Sequence, residues 1–256
     1  MAAESESTRA SLSVTFFLRD IAQPMVEAWN EEFDGYAHVK PSEGDIFRGA
    51  PSADAIVSPA NSFGFMDGGI DMVYTDHFGW QLQYRLQHLL KNEFDGELPV
   101  GQAVIIPTYD AANPPPESPD ADDNEGKTIK YLISAPTMRV PETVSNTTHA
   151  YLAFRAVIRA VKWHNNSHKS DSADIISSVL CPGLGTAVGR MPYKRCAKQM
   201  HVAYDVCVKH EYDAIRQPTS LHEAAMDHSN LCEFGADVTK FGRAAHKGEI
   251  FRQRDK

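Results

Sequence analysis

Short apolar runs alternate with helical patterns along most of the 256-residue chain. Six segments are predicted to be strands, of which YAHVKPSEGDI runs into a turn. They are SVTFFL, YAHVKPSEGDI, ADAIVSPA, GQAVIIPT, TIKYLISAPTM and ADIISSVLC. Strands that alternate with helices form βαβ units, so the sequence predicts a three-layer α/β domain.

The segments between these runs carry the helical pattern. DIAQPMVEAWNEEF is predicted to be a helix with Asp20 as its N-cap. Leucines at spacings of three and four predict a helix from Gly69 to Asn92. Two further segments have the helical pattern, and they are TVSNTTHAYLAFRAVIRAVKWHNN and MPYKRCAKQMHVAYDVCVKH. Trp80 and Trp163 fall within these patterns, where packing in the core or on its flank explains them better than ligand binding does.

Composition divides the chain into one folded domain with extensions. We expect a flexible leader at 1–10, a domain at 11–210 and a C-terminal extension at 211–256, where the periodicity fades. Inside the domain, residues 109–127 hold four prolines and many acidic and small residues. Such a composition is typical of an exposed loop.

Charge and composition exclude several classes of protein. The formal net charge of -9 argues against general nucleic-acid binding, which depends on a basic surface. The first residues lack the build of a signal peptide, and no apolar run is long enough to span a bilayer. The four cysteines are widely spaced and read as free thiols. We therefore expect a cytoplasmic or nuclear protein without membrane binding.

Two polar, glycine-containing loops follow predicted core strands, at 61–71 and at 182–189. Glycines let backbone N–H groups approach a phosphate, and the N-terminus of a following helix adds partial positive charge. The two loops suggest a phosphate-bearing ligand. Tight turns without any ligand explain such glycines about equally well at this point.

Three motifs in sequence order resemble the macrodomain family, which binds ADP-ribose. GDI lies at 44–46, and DAIVSPAN at 54–61 is followed by a Gly-Gly-hydrophobic-Asp motif that ends at Asp71. GLGTAVG lies at 183–189. The resemblance covers roughly residues 36–210 and implies a three-layer α/β/α macrodomain-like fold with a central mixed sheet.

Within that family the chain resembles the hydrolase branch, whose usual pattern is N-A-A-N-x5-G-G-G-hydrophobic-D-x3-H. Asp71 lies ten positions after Asn61, as in that pattern. Gly68, Gly69 and Ile70 fill the positions directly before the aspartate. This segment therefore aligns with the family pattern without a gap.

The resemblance implies a role for each of these residues. Asp45 would accept a hydrogen bond from the adenine amine, with the Ile46 backbone nearby. Asn61 and Asp71 would be the catalytic pair, which position the distal ribose and a water molecule. Gly68 and Gly69 would let the main chain pass close to the distal ribose, and Ser58 and Ile70 would be further ligand contacts. The diphosphate would be held by Gly183, Leu184, Gly185, Thr186, Ala187, Val188 and Gly189.

The chain also departs from the hydrolase pattern. Ser58 stands in place of the first Asn and is followed by Pro59, and Thr75 stands where the His is common. Asp67 replaces the first Gly of the triple, either as a second acid near the ribose or, by preference, as a helix cap. His77 cannot substitute for the missing His, since it lies roughly 240° around a helix from Asp71.

The second loop departs from the family too. Met191 stands where an aromatic residue packs on the distal ribose, and Arg190 stands where a Gly is common. Phe63 and Phe65 either enclose the ligand or close over the core. The residues expected to bind the ligand therefore match the family pattern more fully than the residues expected to catalyse hydrolysis do.

The resemblance implies a metal-independent hydrolase of ADP-ribosyl adducts, either mono-ADP-ribosyl-protein or O-acetyl-ADP-ribose. No cofactor and no metal are expected, and the partners would be ADP-ribose or ADP-ribosylated protein. Two alternatives stay open: a non-catalytic ADP-ribose reader and a phosphatase that acts on ADP-ribose 1″-phosphate. We expect the protein to be a monomer.

Overall fold

The computed structural model describes residues 13–168 and 173–232. Six strands form one sheet in the order β2-β1-β6-β3-β5-β4. Their bounds are β1 Thr15–Asp20, β2 Val39–Glu43, β3 Ala55–Ser58, β4 Val104–Pro107, β5 Tyr131–Ser134 and β6 Ser178–Cys181. All neighbouring strands are parallel except β4 and β5, which are antiparallel. The mixed sheet expected for the fold is confirmed.

Helices follow most of the strands along the chain. They are α1 Gln23–Glu32, α2 Gly69–Phe78, α3 Gln81–Glu93, α4 His149–Ser167, α5 Tyr193–Tyr204, α6 Asp213–Arg216 and α7 Leu221–Cys232. A π-helical turn, Asp205–Lys209, directly continues α5. The predicted leader at 1–10 and residues 233–256 of the predicted extension lie outside the described residues.

Two hydrophobic cores lie on opposite faces of the sheet. Successive side chains of a strand point to opposite faces, so most of the strands contribute to both cores. On one face, residues such as Phe16 and Val57 pack against α1, α4 and α5. On the other face, Ile56 and Leu180 pack against α2 and α3. The three-layer α/β prediction is therefore confirmed.

The structure corrects three predictions about the helices. The helix predicted from Gly69 to Asn92 is two helices, because Gly79 has a φ of 92° that an α-helix cannot accommodate. Asp20 is the last residue of β1 and not the N-cap of α1, a position held by Ala22. Trp163 was predicted to pack in the core or on its flank, and because it is 74% exposed on α4 the core position is excluded.

The segment 109–127 is mostly exposed but anchored at Asn124, which is 3% exposed. The Asn124 side chain accepts a hydrogen bond from Ala53 N at 2.7 Å and donates one to Lys127 O at 2.7 Å. Gly49 N also donates to Asp122 O at 2.7 Å. The segment is thereby tied to the chain that follows β2.

The C-terminal part of the described chain packs on the domain. Leu231 of α7 is buried, and its carbonyl accepts a hydrogen bond from Gln199 Nε2 on α5 at 2.8 Å. Residues 211–232 of the predicted extension therefore contact the core at this point. Within the described ranges, no helix has the length and apolar character needed to cross a bilayer.

Replacing Asn124 with Ala should destabilise the fold, because the buried Ala53 N–H loses its acceptor. We expect the free energy of unfolding to fall by about 1–3 kcal/mol in urea titration. Glu117→Ala, in the exposed part of the same loop, is the matched control and should change stability by less than about 0.5 kcal/mol. Equal stability of Asn124→Ala and the wild type would show that this anchor contributes nothing.

Candidate functional site

The loops that follow β1, β3 and β6 meet at one edge of the sheet. These strands are parallel neighbours, so their carboxyl ends lie together. Asp20, at the end of β1, accepts a hydrogen bond from Gly183 N at 3.2 Å through Oδ2. Both glycine loops predicted from the sequence therefore lie where open α/β sheets bind ligands.

The loop after β6 presents unpaired backbone donors. In the part of the chain that the structure describes, no acceptor is found for the N–H groups from Gly185 to Gly189. The loop is closed by Met191 N, which donates to Gly185 O at 2.9 Å. A Cβ on Gly189 would lie 2.5 Å from that carbonyl oxygen, so only glycine fits there. Consecutive unpaired N–H groups in a tight loop form an anion-binding concavity.

The start of α2 adds a second group of donors at the same sheet edge. Over the described residues, the N–H groups from Asp67 to Asp71 also have no acceptor. The backbone bonds of α2 begin when Met72 N donates to Gly68 O at 3.4 Å. Gly68 and Gly69 are exposed, and Gly69 has a φ of 58°. A helix N-terminus of this kind favours a negatively charged ligand.

Asn61 organises the loop after β3 with its own side chain. Its Oδ1 accepts hydrogen bonds from Phe63 N at 3.0 Å and Phe65 N at 3.3 Å, and its Nδ2 donates to Phe65 O at 2.8 Å. Thr75 supports the same loop, because its hydroxyl donates to Met66 O at 2.7 Å. The loop is therefore held from within and from α2.

Asp71 lies in the first turn of α2 and is almost completely covered. Its side chain pairs with Ser58, whose Oγ donates to Asp71 Oδ1 at 2.5 Å. Burial raises the pKa of Asp71 to about 7, although the Ser58 hydrogen bond opposes that rise. Asp71 is thus a carboxyl group that changes its charge near neutral pH.

Asp45 is exposed at the turn after β2. Its Oδ1 accepts hydrogen bonds from Phe47 N and Arg48 N, each at 2.9 Å. The bond from Arg48 N, together with that from Phe47 N and the charge of Arg19, holds the pKa of Asp45 below its ordinary value. Asp45 is therefore an acceptor-only carboxylate at neutral pH, and the adjacent Ile46 is buried.

Arg19 fixes the Asp45 turn, and the sequence prediction did not include it. This buried guanidinium donates to Asp45 O at 2.5 Å, to Arg48 O at 3.0 Å and to Ser42 Oγ at 3.1 Å. A Cβ on Gly44 would collide with it. The available signal was an arginine inside the apolar run FFLRD, where a buried charge needs several partners.

His77 packs beside the same turn, on the ring of Phe47. The two ring centroids lie 3.8 Å apart with an interplanar angle of 10°. Burial lowers the pKa of His77, while the nearby carboxylates of Asp123 and Asp45 oppose that change. His77 therefore belongs to the surroundings of Asp45, a location that helical spacing did not reveal.

Two residues that depart from the family pattern lie in different surroundings. Asp67 is exposed and does not cap α2, because Gly68 is the N-cap and no side chain bonds there. The preferred interpretation of Asp67 as a cap was therefore wrong. Met191 is buried in the core, whereas Val188 of the glycine loop is exposed.

No group of three or more metal-binding side chains occurs among the described residues.

A family model described as a Macro-like domain matches residues 27–218. This range covers most of the chain, so the protein belongs to the macro-like domain family. The resemblance to macrodomains that was inferred from three short motifs is therefore confirmed as membership of this family. An uncharacterized protein of Aquifex aeolicus is 28% identical over 149 residues, which cover 58% of this chain and 70% of the relative.

Three solved structures show how far similarity extends. The macrodomain of Mycobacterium tuberculosis DarG is 19% identical with a TM-score of 0.47, covering 65% of this chain and 90% of DarG's solved chain. The Oceanobacillus iheyensis macrodomain with ADP is 20% identical, with a TM-score of 0.43 and coverages of 62% and 72%. Thermosipho africanus DarTG in complex with ADP-ribose is 16% identical, with a TM-score of 0.43 and coverages of 59% and 35%.

The raised pKa of Asp71 predicts a stability effect with a defined sign. The folded state binds a proton at Asp71 more tightly than the unfolded state, so this residue lowers stability as pH rises from about 4 to about 7. Asp71→Asn should remove that contribution, which is roughly 4 kcal/mol at most. Urea unfolding across this pH range checks it, and identical pH slopes for the two proteins would contradict it.

Proposed function

We propose that the protein binds ADP-ribose along this sheet edge and hydrolyses ADP-ribosyl adducts there without a metal ion. The observation that carries the proposal is the row of N–H groups from Gly185 to Gly189, which have no acceptor among the described residues, at the same sheet edge as the N-terminus of α2. The choice of ADP-ribose rests on the three motifs and on family membership.

The glycine loop suits a diphosphate because its donors belong to the backbone. A protein with a net charge of -9 does not attract anions in general, so a local cluster of N–H groups must do so. The residues from Gly183 to Gly189 would surround the diphosphate, and the exposed Val188 would lie against the ligand. Thr186 would add its hydroxyl to the backbone donors.

The Asp45 turn suits the adenine. One carboxylate oxygen already accepts the two turn N–H groups, whereas among the described residues Oδ2 has no donor. That oxygen is available to the exocyclic amine of adenine, and the low pKa of Asp45 keeps it an acceptor. Arg19 keeps the turn in place through its three hydrogen bonds.

The Asn61 loop suits the distal ribose. An amide group has two N–H donors, and Asn61 uses one of them for Phe65 O. The second donor has no partner among the residues that the structure describes, so it remains for a ribose hydroxyl. Gly68 and Gly69 are exposed beside it and allow close approach of the sugar to the backbone.

Asp71 suits the proton transfer that hydrolysis requires. As a water oxygen attacks the anomeric carbon or the ester carbonyl, the Asp71 carboxylate would accept its proton. The bond to the leaving group breaks, and that proton passes to the leaving group. A carboxyl group with a pKa of about 7 is matched to both directions of transfer near neutral pH.

A non-catalytic reader is the second candidate, and a specific observation favours it. Thr75 replaces the histidine of the hydrolase pattern, and its hydroxyl is used by Met66 O. Asp71 is also nearly covered, which restricts access of a substrate to its carboxyl group. A reader would use the same binding loops and would have no turnover.

Titration calorimetry with ADP-ribose tests the binding mode, and Asp45→Asn is the informative variant. The amide oxygen still accepts the turn N–H groups, but the amide nitrogen cannot accept a bond from adenine. We expect affinity for ADP-ribose to fall by roughly tenfold, which is the value of one such hydrogen bond. Glu43→Ala, an exposed neighbouring acid, serves as the control and should bind like the wild type.

Inosine diphosphate ribose sharpens this experiment, because it carries a carbonyl oxygen where adenine has its amine. The wild type should prefer ADP-ribose, and the preference should shrink in Asp45→Asn. An unchanged preference would remove Asp45 from base recognition. Absence of ADP-ribose binding by the wild type would refute the proposed function as a whole.

Turnover of a mono-ADP-ribosylated peptide separates the enzyme from the reader. Asp71→Asn should abolish the release of free ADP-ribose and leave ADP-ribose affinity within about twofold, because Asp71 acts on the water and not on the diphosphate. Release of phosphate from ADP-ribose 1″-phosphate is measured in parallel. A wild-type protein that binds ADP-ribose and releases neither product would be a reader.

A further inference from the structure

Ser58 and Asp71 form a buried polar pair between two elements of the site. Ser58 is the last residue of β3 and is 0% exposed, and Asp71 on α2 is 7% exposed. The Ser58 hydroxyl donates to Asp71 Oδ1 at 2.5 Å. Such a short bond is typical of a hydroxyl that donates to an ionised acceptor.

We propose that Ser58 is a positioning residue that keeps the Asp71 carboxyl ionised and fixed in orientation for proton transfer. The inference rests on the proposed function, in which Asp71 accepts a proton from water. The sequence resemblance had implied that Ser58 contacts the ligand. A fully covered side chain offers no surface to a ligand, so its hydroxyl acts on Asp71 instead.

Ser58 is the one hydrogen-bond donor that the described residues supply to the Asp71 side chain. The neighbouring hydroxyls on α2 are used elsewhere, since Tyr74 donates to Val57 O at 3.0 Å and Thr75 to Met66 O. Burial penalises the charged carboxylate, and the Ser58 hydrogen bond favours it. Without the Ser58 hydroxyl, the cost of burying the charged carboxylate would no longer be offset by a hydrogen bond.

Other titratable groups in this corner do not replace Ser58. Tyr74 on α2 is buried, and its pKa is raised well above the ordinary value by burial and then by the charges of Asp71, Cys181 on β6 and Asp20 on β1. Each of these groups is neutral or negative, so none stabilises a carboxylate. No cation among the described residues acts on Asp71.

The replacement of Asn by Ser fits this role. Both side chains carry a hydrogen-bond donor, and the serine hydroxyl donates to Asp71 across the contact between β3 and α2. Serine at this position therefore supplies Asp71 with a hydrogen-bond donor. Alanine at this position would remove the donor with little change in volume.

The decisive experiment is a carbon-13 NMR titration of the Asp71 side-chain carboxyl in the full chain. We expect Ser58→Ala to raise its titration midpoint by roughly one pH unit or more, because a hydrogen bond to a charged group is lost. Thr75→Val is the matched control: it removes a buried hydroxyl on the same face of α2 that bonds to Met66 O, and it should leave the midpoint unchanged. Ser58→Thr keeps a hydroxyl and should titrate like the wild type.

The pH profile of kcat/KM supplies the second readout. In Ser58→Ala the ascending limb should move to higher pH by the same amount as the NMR midpoint. An unchanged midpoint, or a uniform loss of kcat at every pH, would overturn the role of Ser58. A shifted midpoint in a protein without turnover would support the ionisation role and refute hydrolysis, so the two failures are distinguishable.

Discussion

The position of β6 between β1 and β3 is the constraint on which the site depends. Parallel pairing on both sides of β6 places three loops, which are far apart in sequence, at one sheet edge. Asp20 and Gly183 are joined there by a hydrogen bond across 163 positions of sequence. The loop N–H groups at this edge lie beyond the ladder hydrogen bonds of the strands. They remain available to a ligand because the described part of the chain gives them no other partner.

The strands and the family motifs were predictable because they depend on local patterns. Apolar runs matched buried strands such as β3 and β6, and the spacing of Asn61 and Asp71 is a property of the sequence itself. The break at Gly79 was not predicted, because the leucines that supported the helix all lie after it, in α3, and so say nothing about the chain before it. The periodicity of apolar residues indicates which side of a helix is buried, but it does not indicate where the helix ends.

Contacts between side chains that are distant in sequence could not be predicted from the sequence. Arg19 bonds to Asp45 across 26 positions, and Asn124 bonds to Ala53 across 71. A pattern within a short window cannot assign such partners. The same holds for Asp71, whose type and spacing were evident although its burial and its pairing with Ser58 were not. Those two properties decide its charge, and so they decide what chemistry it can perform.

The segment 109–127 is fastened at both ends. Arg85 holds Asp110 near its start, and Asn124 holds the chain to Ala53 near its end. The stretch 114–118 between these anchors is exposed. Lengthening a loop adds little entropic penalty once its ends are fixed. A fluorophore or an affinity tag inserted at 114–118 would therefore leave the Asp45 turn undisturbed, which makes this stretch a natural attachment point for a reporter of ligand binding.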